Sequence, residues 1–305
     1  MKKIIYIVAS LFVLQSCRTD IDLDFKGQNE SALVVEGYVT EGKPISTVKL
    51  TSTVMYNSGN VNPPATDVEY VRLKRIDILG NTTFDTLSLF NSTTGEYKTS
   101  GKYIPAVGEK YELEVKFKGE IFKAESIINR AAVVDSANYF YQPERFGTQK
   151  GYQIRYAAKD LPGKGEYFWF EKLKNGKPYW ETLSDKFTIW NDLFGDNLTF
   201  PAPVLFGINP GPNTEKPDYN ADKDYPYALG DTVTINCYGV DEKAYRFYND
   251  FVQQNSSADG GALGPLFAPP MDNIRSNLYN TNPKGIKVLG LFSARGLVST
   301  QMIIK

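Results

Sequence analysis

Residues 111–117 read Tyr-Glu-Leu-Glu-Val-Lys-Phe, apolar and charged in strict alternation. Side chains repeat every second residue only in an extended chain, so this segment commits to a strand with one dry and one wet face. The same period runs from Ser31 to Ser126. Leu33, Val35, Gly37 and Val39 share a face, and Val48 and Leu50 resume the pattern after the Gly42-Lys43-Pro44 break. Val71 to Lys74 leads into Ile76 and Ile78. Gly80-Asn81 turns the chain into Phe84 to Phe90 as a hairpin, and Lys118-Gly119-Glu120 turns it into Ile121 to Ala124. Six or seven such strands predict an immunoglobulin-like or transthyretin-like β-sandwich over 31–130. One wet face per strand predicts antiparallel sheets, since parallel ones are covered on both sides.

The alternation lapses between Ala131 and Gln142, where the sequence places a boundary with a second β-rich domain, 131–305. Strands are expected at Tyr152 to Tyr156 and Glu166 to Glu171, where Phe168 and Phe170 flanking Trp169 put one side in the core. Asn175-Gly176 is a type I′ turn signal into Tyr179-Trp180. Phe200 to Tyr227 is proline-rich and reads as a long irregular excursion, of the kind that is often functional. One amphipathic helix follows over 241–255. Asp241 caps it, and Ala244, Tyr245, Phe247, Tyr248, Phe251 and Val252 recur at helical spacing as a stripe packed on a sheet. Ile286 to Phe292 and Leu297 to Ile304 supply closing strands. The fold class is therefore mainly β, with 20 Tyr and 18 Phe to fill strands and 25 Gly and 17 Pro for turns.

What is missing narrows the chemistry. The chain has no histidine, which removes Ser-His-Asp and Cys-His nucleophile systems and histidine zinc sites together. Its two cysteines are Cys17 and Cys237. Cys237 sits in the alternating strand Thr232 to Tyr238 and reads as a buried, inert thiol, so no disulfide framework is expected. With 34 basic against 35 acidic residues and no Lys/Arg block, nucleic acid is not expected as a partner.

Residues 1–17 specify location. Lys2-Lys3 precede an apolar run, Ile4 to Leu14, of signal-peptide length, too short for the ~20 residues that span a bilayer. Leu14-Gln15-Ser16-Cys17 then resembles a lipobox, the signal at which bacterial lipoproteins are cleaved and acylated on cysteine. Residues 1–16 are expected to be a signal peptide, Cys17 the lipidation site, and 17–30 a polar tether to the lipid bilayer. Asp20, Asp22 and Asp24 in that tether resemble the surface-export signal of some outer-membrane lipoproteins.

The C-terminal third carries a further pattern. Gly230-Asp231-Thr232-Val233, Asp241 to Tyr245 with Phe247-Tyr248, Gly260-Gly261 to Pro269-Pro270 with Asn273-Ile274, and Gly290 to Ala294 follow in order. With Leu33 to Gly37 and the lipobox, they resemble the domain-of-unknown-function 4249 family of outer-membrane lipoproteins. The resemblance covers essentially the whole mature chain. It implies an outer-membrane location, facing the cell surface or periplasm, and an accessory role beside a TonB-dependent receptor. It carries over no catalytic residue.

Several constellations remain to be placed. Asp218, Asn220, Asp222 and Asp224 supply oxygens at every second position, as a calcium loop begins. Lys223 and Leu229 stand where the turn glycine and bidentate acid belong, so a solvated loop is expected and no cofactor is assigned. Asp192, Asp196 and Asn197 make a second acidic loop. The Gly-rich stretch 259–270 lacks the Lys-Ser/Thr of a phosphate loop. Trp180, Trp190, Tyr219, Tyr225, Leu266 and Phe267 are the candidate contacts for a glycan, a peptide or a partner. Glu166 with Glu171, or Asp192 with Asp196, are the carboxylate pairs an enzyme would need. The function expected is non-catalytic: a binding accessory of a TonB-dependent nutrient-uptake system. A structural or adhesin-like surface lipoprotein is the alternative, and a carboxylate-based glycan hydrolase a third. The working surface is expected on Pro201 to Tyr227 and Gly260 to Pro270, with the first domain as a spacer.

Overall fold

The computed structural model describes residues 31–54, 61–142, 151–159, 161–163, 165–179, 188–191, 199–200, 227–259 and 274–305. Ser31–Lys305 form one compact unit. The expected signal peptide, Cys17 and the tether thus lie outside the described residues.

Alternation produces strands where it is strict. Tyr111 to Phe117 lies in β7 (Lys110–Phe117), whose residues alternate between buried and half-exposed along its whole length. The first half of the unit also holds β1 (Leu33–Thr40), β2 (Thr47–Ser52), β3 (Val68–Ile76), β4 (Thr82–Thr86), β5 (Ser88–Asn91), β6 (Glu96–Lys98) and β8 (Glu120–Ile127). The second half holds β9 (Val133–Gln142), β10 (Gly151–Lys159), β11 (Tyr167–Lys174), β12 (Lys177–Pro178), β13 (Thr188–Asn191), β14 (Thr199–Phe200), β15 (Thr232–Val240), β16 (Tyr279–Asn280) and β17 (Val288–Ile303). The single helix among the described residues is α1 (Glu242–Asp259). The molecule is mainly β.

These strands form three sheets. A nine-stranded sheet runs β12-β11-β15-β17-β1-β2-β6-β5, with β13 also on β11. A five-stranded sheet runs β16-β8-β7-β3-β4, and a three-stranded one β14-β10-β9. The five-stranded sheet packs on the first half of the large sheet through Leu33, Val35, Leu50, Val71, Leu113 and Phe122, all at most 1% exposed, as a β-sandwich does. The three-stranded sheet packs on the other half through Ile154, Tyr156, Phe168, Phe170, Val233 and Cys237.

Strand β17 belongs to both halves. Its residues Phe292 and Ala294 point into the first core, and Val298 and Met302 pack on the second. Between them Gly296 pairs with Gly239 of β15, and the Asn129–Arg130 backbone crosses the sheet over this glycine pair. A Cβ at Gly239 would lie 2.0 Å from the Arg130 carbonyl oxygen, and one at Gly296 2.1 Å from that of Asn129. The two cores meet at this crossing, and one sheet runs through both.

Two sequence expectations are corrected. The sandwich is not wholly antiparallel, because β1 pairs in parallel with β17, Leu33 beside Val288 through Thr40 beside Arg295. A parallel neighbour needs a long connection, and here nearly the whole unit intervenes. Phe84 to Phe90 is not one hairpin arm either. The chain changes sheet at buried Leu87, so β4 pairs with β3 and β5 with β6. Other expectations hold. Asn175 and Gly176 take φ of 51° and 76°, closing the β11–β12 hairpin as a type I′ turn requires. Cys237 is a free, fully buried cysteine.

Helix α1 starts where expected and runs beyond Asn255 to Asp259. The Asp241 carboxylate accepts the Ala244 N–H at 2.8 Å, the N-cap bond. Its other oxygen accepts from the Ser126 hydroxyl, which itself accepts the Ala294 N–H at 2.8 Å. One relay thus ties α1 to β8 and β17. Burial pushes the Asp241 carboxyl up, against the pull of the Ser126 bond. Asp241→Ala is expected to cost about 2 kcal/mol, a lost cap plus an orphaned buried hydroxyl. Asp241→Asn, which keeps the cap without the buried charge, should cost clearly less. Urea melts of both variants check this ordering.

Candidate functional site

Helix α1 covers only part of the outer face of the nine-stranded sheet. Alternation sends Trp169 of β11, Tyr238 and Val240 of β15 and Leu291 of β17 to this face, where Ala244 and Tyr248 of the helix bury them. The expected aromatic stripe is thus core. Trp169 stacks on Tyr238 with centroids 4.8 Å apart and meets Tyr248 at 5.1 Å. Since Phe168 and Phe170 fill the opposite face, β11 is buried on both sides.

At the border of the helix the face holds a cation. Arg295, half-buried on β17, lies 4.0 Å from the Tyr238 ring centroid, 4.5 Å from Tyr38 and 5.1 Å from Trp169. Its Nε donates to the Thr40 hydroxyl at 3.0 Å. Thr40 is its register partner on β1, and Tyr38 is that of Ser293. The parallel β1–β17 pairing therefore builds this cluster.

Arg295 has no counter-ion within 4.0 Å among the described residues. Two nearby carboxylates have other partners, and a third, Glu36, whose charge reaches Tyr38, stands exposed two residues before it on β1. Glu41 accepts the Leu297 N–H at 3.0 Å, and Glu171 accepts from the Tyr238 hydroxyl at 2.8 Å and from Asn236 at 3.2 Å. The tyrosines supply no anion, because burial raises the Tyr38 and Tyr238 hydroxyls despite the opposing field of Arg295. Arg295 Nη1 is buried without a hydrogen-bond partner, and so is Oγ of Ser293, which is fully buried two residues earlier on the same face. Such a cluster is equipped to hold an oxyanion. Among the described residues it contains no base or activated nucleophile.

The sequence-chosen residues are placed differently. Trp190 lies on β13 beside Phe168 and packs against the second core, away from Arg295. Trp180, Tyr219, Tyr225, Leu266 and Phe267 lie outside the described residues, as do Asp218, Asn220, Asp222, Asp224, Asp192, Asp196 and Asn197. The same holds for Pro201 to Pro226 and Gly260 to Pro270, whereas Tyr227 is buried in the second core. Glu166 and Glu171 have separate partners, Arg130 for the first and Tyr238 with Asn236 for the second. Arg295, Tyr38, Thr40 and Tyr238 escape sequence reasoning. The available signal is that Arg295 is the lone charge in the otherwise uncharged stretch 288–303.

Elsewhere, buried charge is spent on structure. Glu109, 3% exposed, accepts from both Arg75 and Tyr111, the latter at 2.6 Å, and from the Ala106 N–H at 3.2 Å. Burial by itself would raise its carboxyl, and these bonds outweigh it and hold it below the usual range. A depressed folded-state value gives stability that is present above the unfolded value of about 4.3 and lost as pH falls through the folded one. Glu109→Gln should therefore cost about 3 kcal/mol at neutral pH, and the deficit should shrink toward pH 3. Parallel curves in urea titrations across that range would contradict this. Two clefts among the described residues, of about 20 and 60 Å³, are each far below the ~300 Å³ of a pocket that encloses a small molecule.

The model of the family described as domain of unknown function (DUF4249) matches residues 18–300. The chain therefore belongs to that family. No curated protein gives a significant match.

Proposed function

We propose that this family member is a lipid-anchored cell-envelope protein. It acts without catalysis, as a binding accessory of a TonB-dependent outer-membrane uptake system. The observation that carries the binding part is Arg295, a cation held on three aromatic faces with no counter-ion among the described residues. A site of this kind recognises charge and does not move protons. The anchor rests on Leu14 to Cys17. The architecture suits a protein held at its start. The unit begins at Ser31, just before β1, and β17 runs parallel to β1 before continuing into the second core.

One observation favours the adhesin-like alternative. Strands β4 and β5 are the terminal strands of their sheets. They expose Phe84 at 61%, Leu89 at 53% and Phe90 at 63%, and open apolar edges invite assembly. Deleting the protein separates the two readings. An accessory should slow growth when a receptor-dependent nutrient is limiting and leave surface attachment intact. Lost attachment with normal growth would favour the adhesin.

A further inference from the structure

We infer that Arg295 anchors a site for the carboxylate of a small ligand, completed by Ser293 and Thr40 at the border of α1. This deepens the binding-accessory reading and rests on it. The guanidinium is fixed before any ligand arrives. Tyr238, Tyr38 and Trp169 take up its faces, and Thr40 takes its Nε. What stays unmet lies at its edge, where Nη1 is buried and bonded to nothing. An unpaired buried donor is costly to leave in place. The Ser293 hydroxyl, two residues earlier on the same strand and face, is also unmet. Two buried groups able to donate and a fixed positive charge held on aromatic rings favour an anion over a neutral ligand. A planar carboxylate matches the fork of a guanidinium best.

The site is approached from β1. Tyr38 and Thr40 remain half-exposed there, and Glu36 and Lys49 beyond them are exposed. Aromatic rings around the cation also suit a carboxylate carried on a ring, such as a uronic acid, whose apolar face can lie against them.

The test uses the full lipidated protein in detergent, titrated calorimetrically with acetate, with glucuronate and with glucose as the neutral isostere. Glucuronate and acetate should bind saturably, with Kd of about 1 mM or tighter, and glucose should not. Arg295→Gln should weaken glucuronate at least tenfold, and Ser293→Ala severalfold. Arg295→Lys keeps the cation among its rings and guards against loss of fold. It should retain charge-dependent binding that is weaker than wild type. Absence of saturable binding by either carboxylate overturns the inference, and so does equal binding by glucose or an unchanged affinity in a folded Arg295→Gln. If these fail while the protein still associates with a receptor, only the carboxylate site falls.

Discussion

Gly239→Ala is expected to remove more than about 4 kcal/mol of stability, enough to leave little folded protein at growth temperature. The added Cβ would sit 2.0 Å from the Arg130 carbonyl oxygen, 2.4 Å from its carbon and 2.7 Å from the Asn129 oxygen. All three are backbone atoms, and that backbone cannot withdraw easily. The Asn129 side chain donates to the Val240 carbonyl at 3.0 Å, and Ile128 is bonded to Glu109 at 3.0 Å. Gly296→Ala meets the same crossing from β17 and should cost a similar amount. Gly176→Ala is the control. Its φ of 76° is strained for alanine, yet a Cβ there meets nothing within 4 Å, so it should cost only about 1 kcal/mol. Urea denaturation of the three variants measures this. If Gly239→Ala stays within about 1 kcal/mol of wild type, the crossing is not where we place it.

Cys17→Ala is expected to abolish membrane attachment altogether. Each buried methylene of an acyl chain contributes about 0.8 kcal/mol, so two or more chains hold a protein firmly and none holds it not at all. The variant should keep its leader as an unlipidated precursor, take up no labelled fatty acid and lose its outer-membrane fractionation. Labelling of the variant at the wild-type level would refute lipidation at Cys17.

Local chemistry was legible in the sequence and long-range pairing was not. Tyr111 to Phe117 alternates so strictly that only a strand fits it, and Asn175-Gly176 names its own turn. The stripe from Ala244 to Val252 gave the helix and the face it buries. The partnership of β1 with β17 joins residues from opposite ends of the chain, and no local pattern encodes it. Leu87 reads as one more apolar residue, yet it marks the change of sheet. Gly239 and Gly296 each look like a weak point in a strand until the crossing backbone explains them. The candidate site follows the same logic. Arg295 acquires its aromatic surround only once β1, β11 and β15 are laid beside β17. Neither the tryptophans nor the acidic loops of the sequence mark its position.

Affinity purification of the Cys17-anchored protein from native outer membranes tests the accessory role most directly. A TonB-dependent receptor should co-purify in near-stoichiometric amount and be absent from a mock purification. Recovery of a fibre or matrix component in its place, with no receptor enriched, would contradict the account.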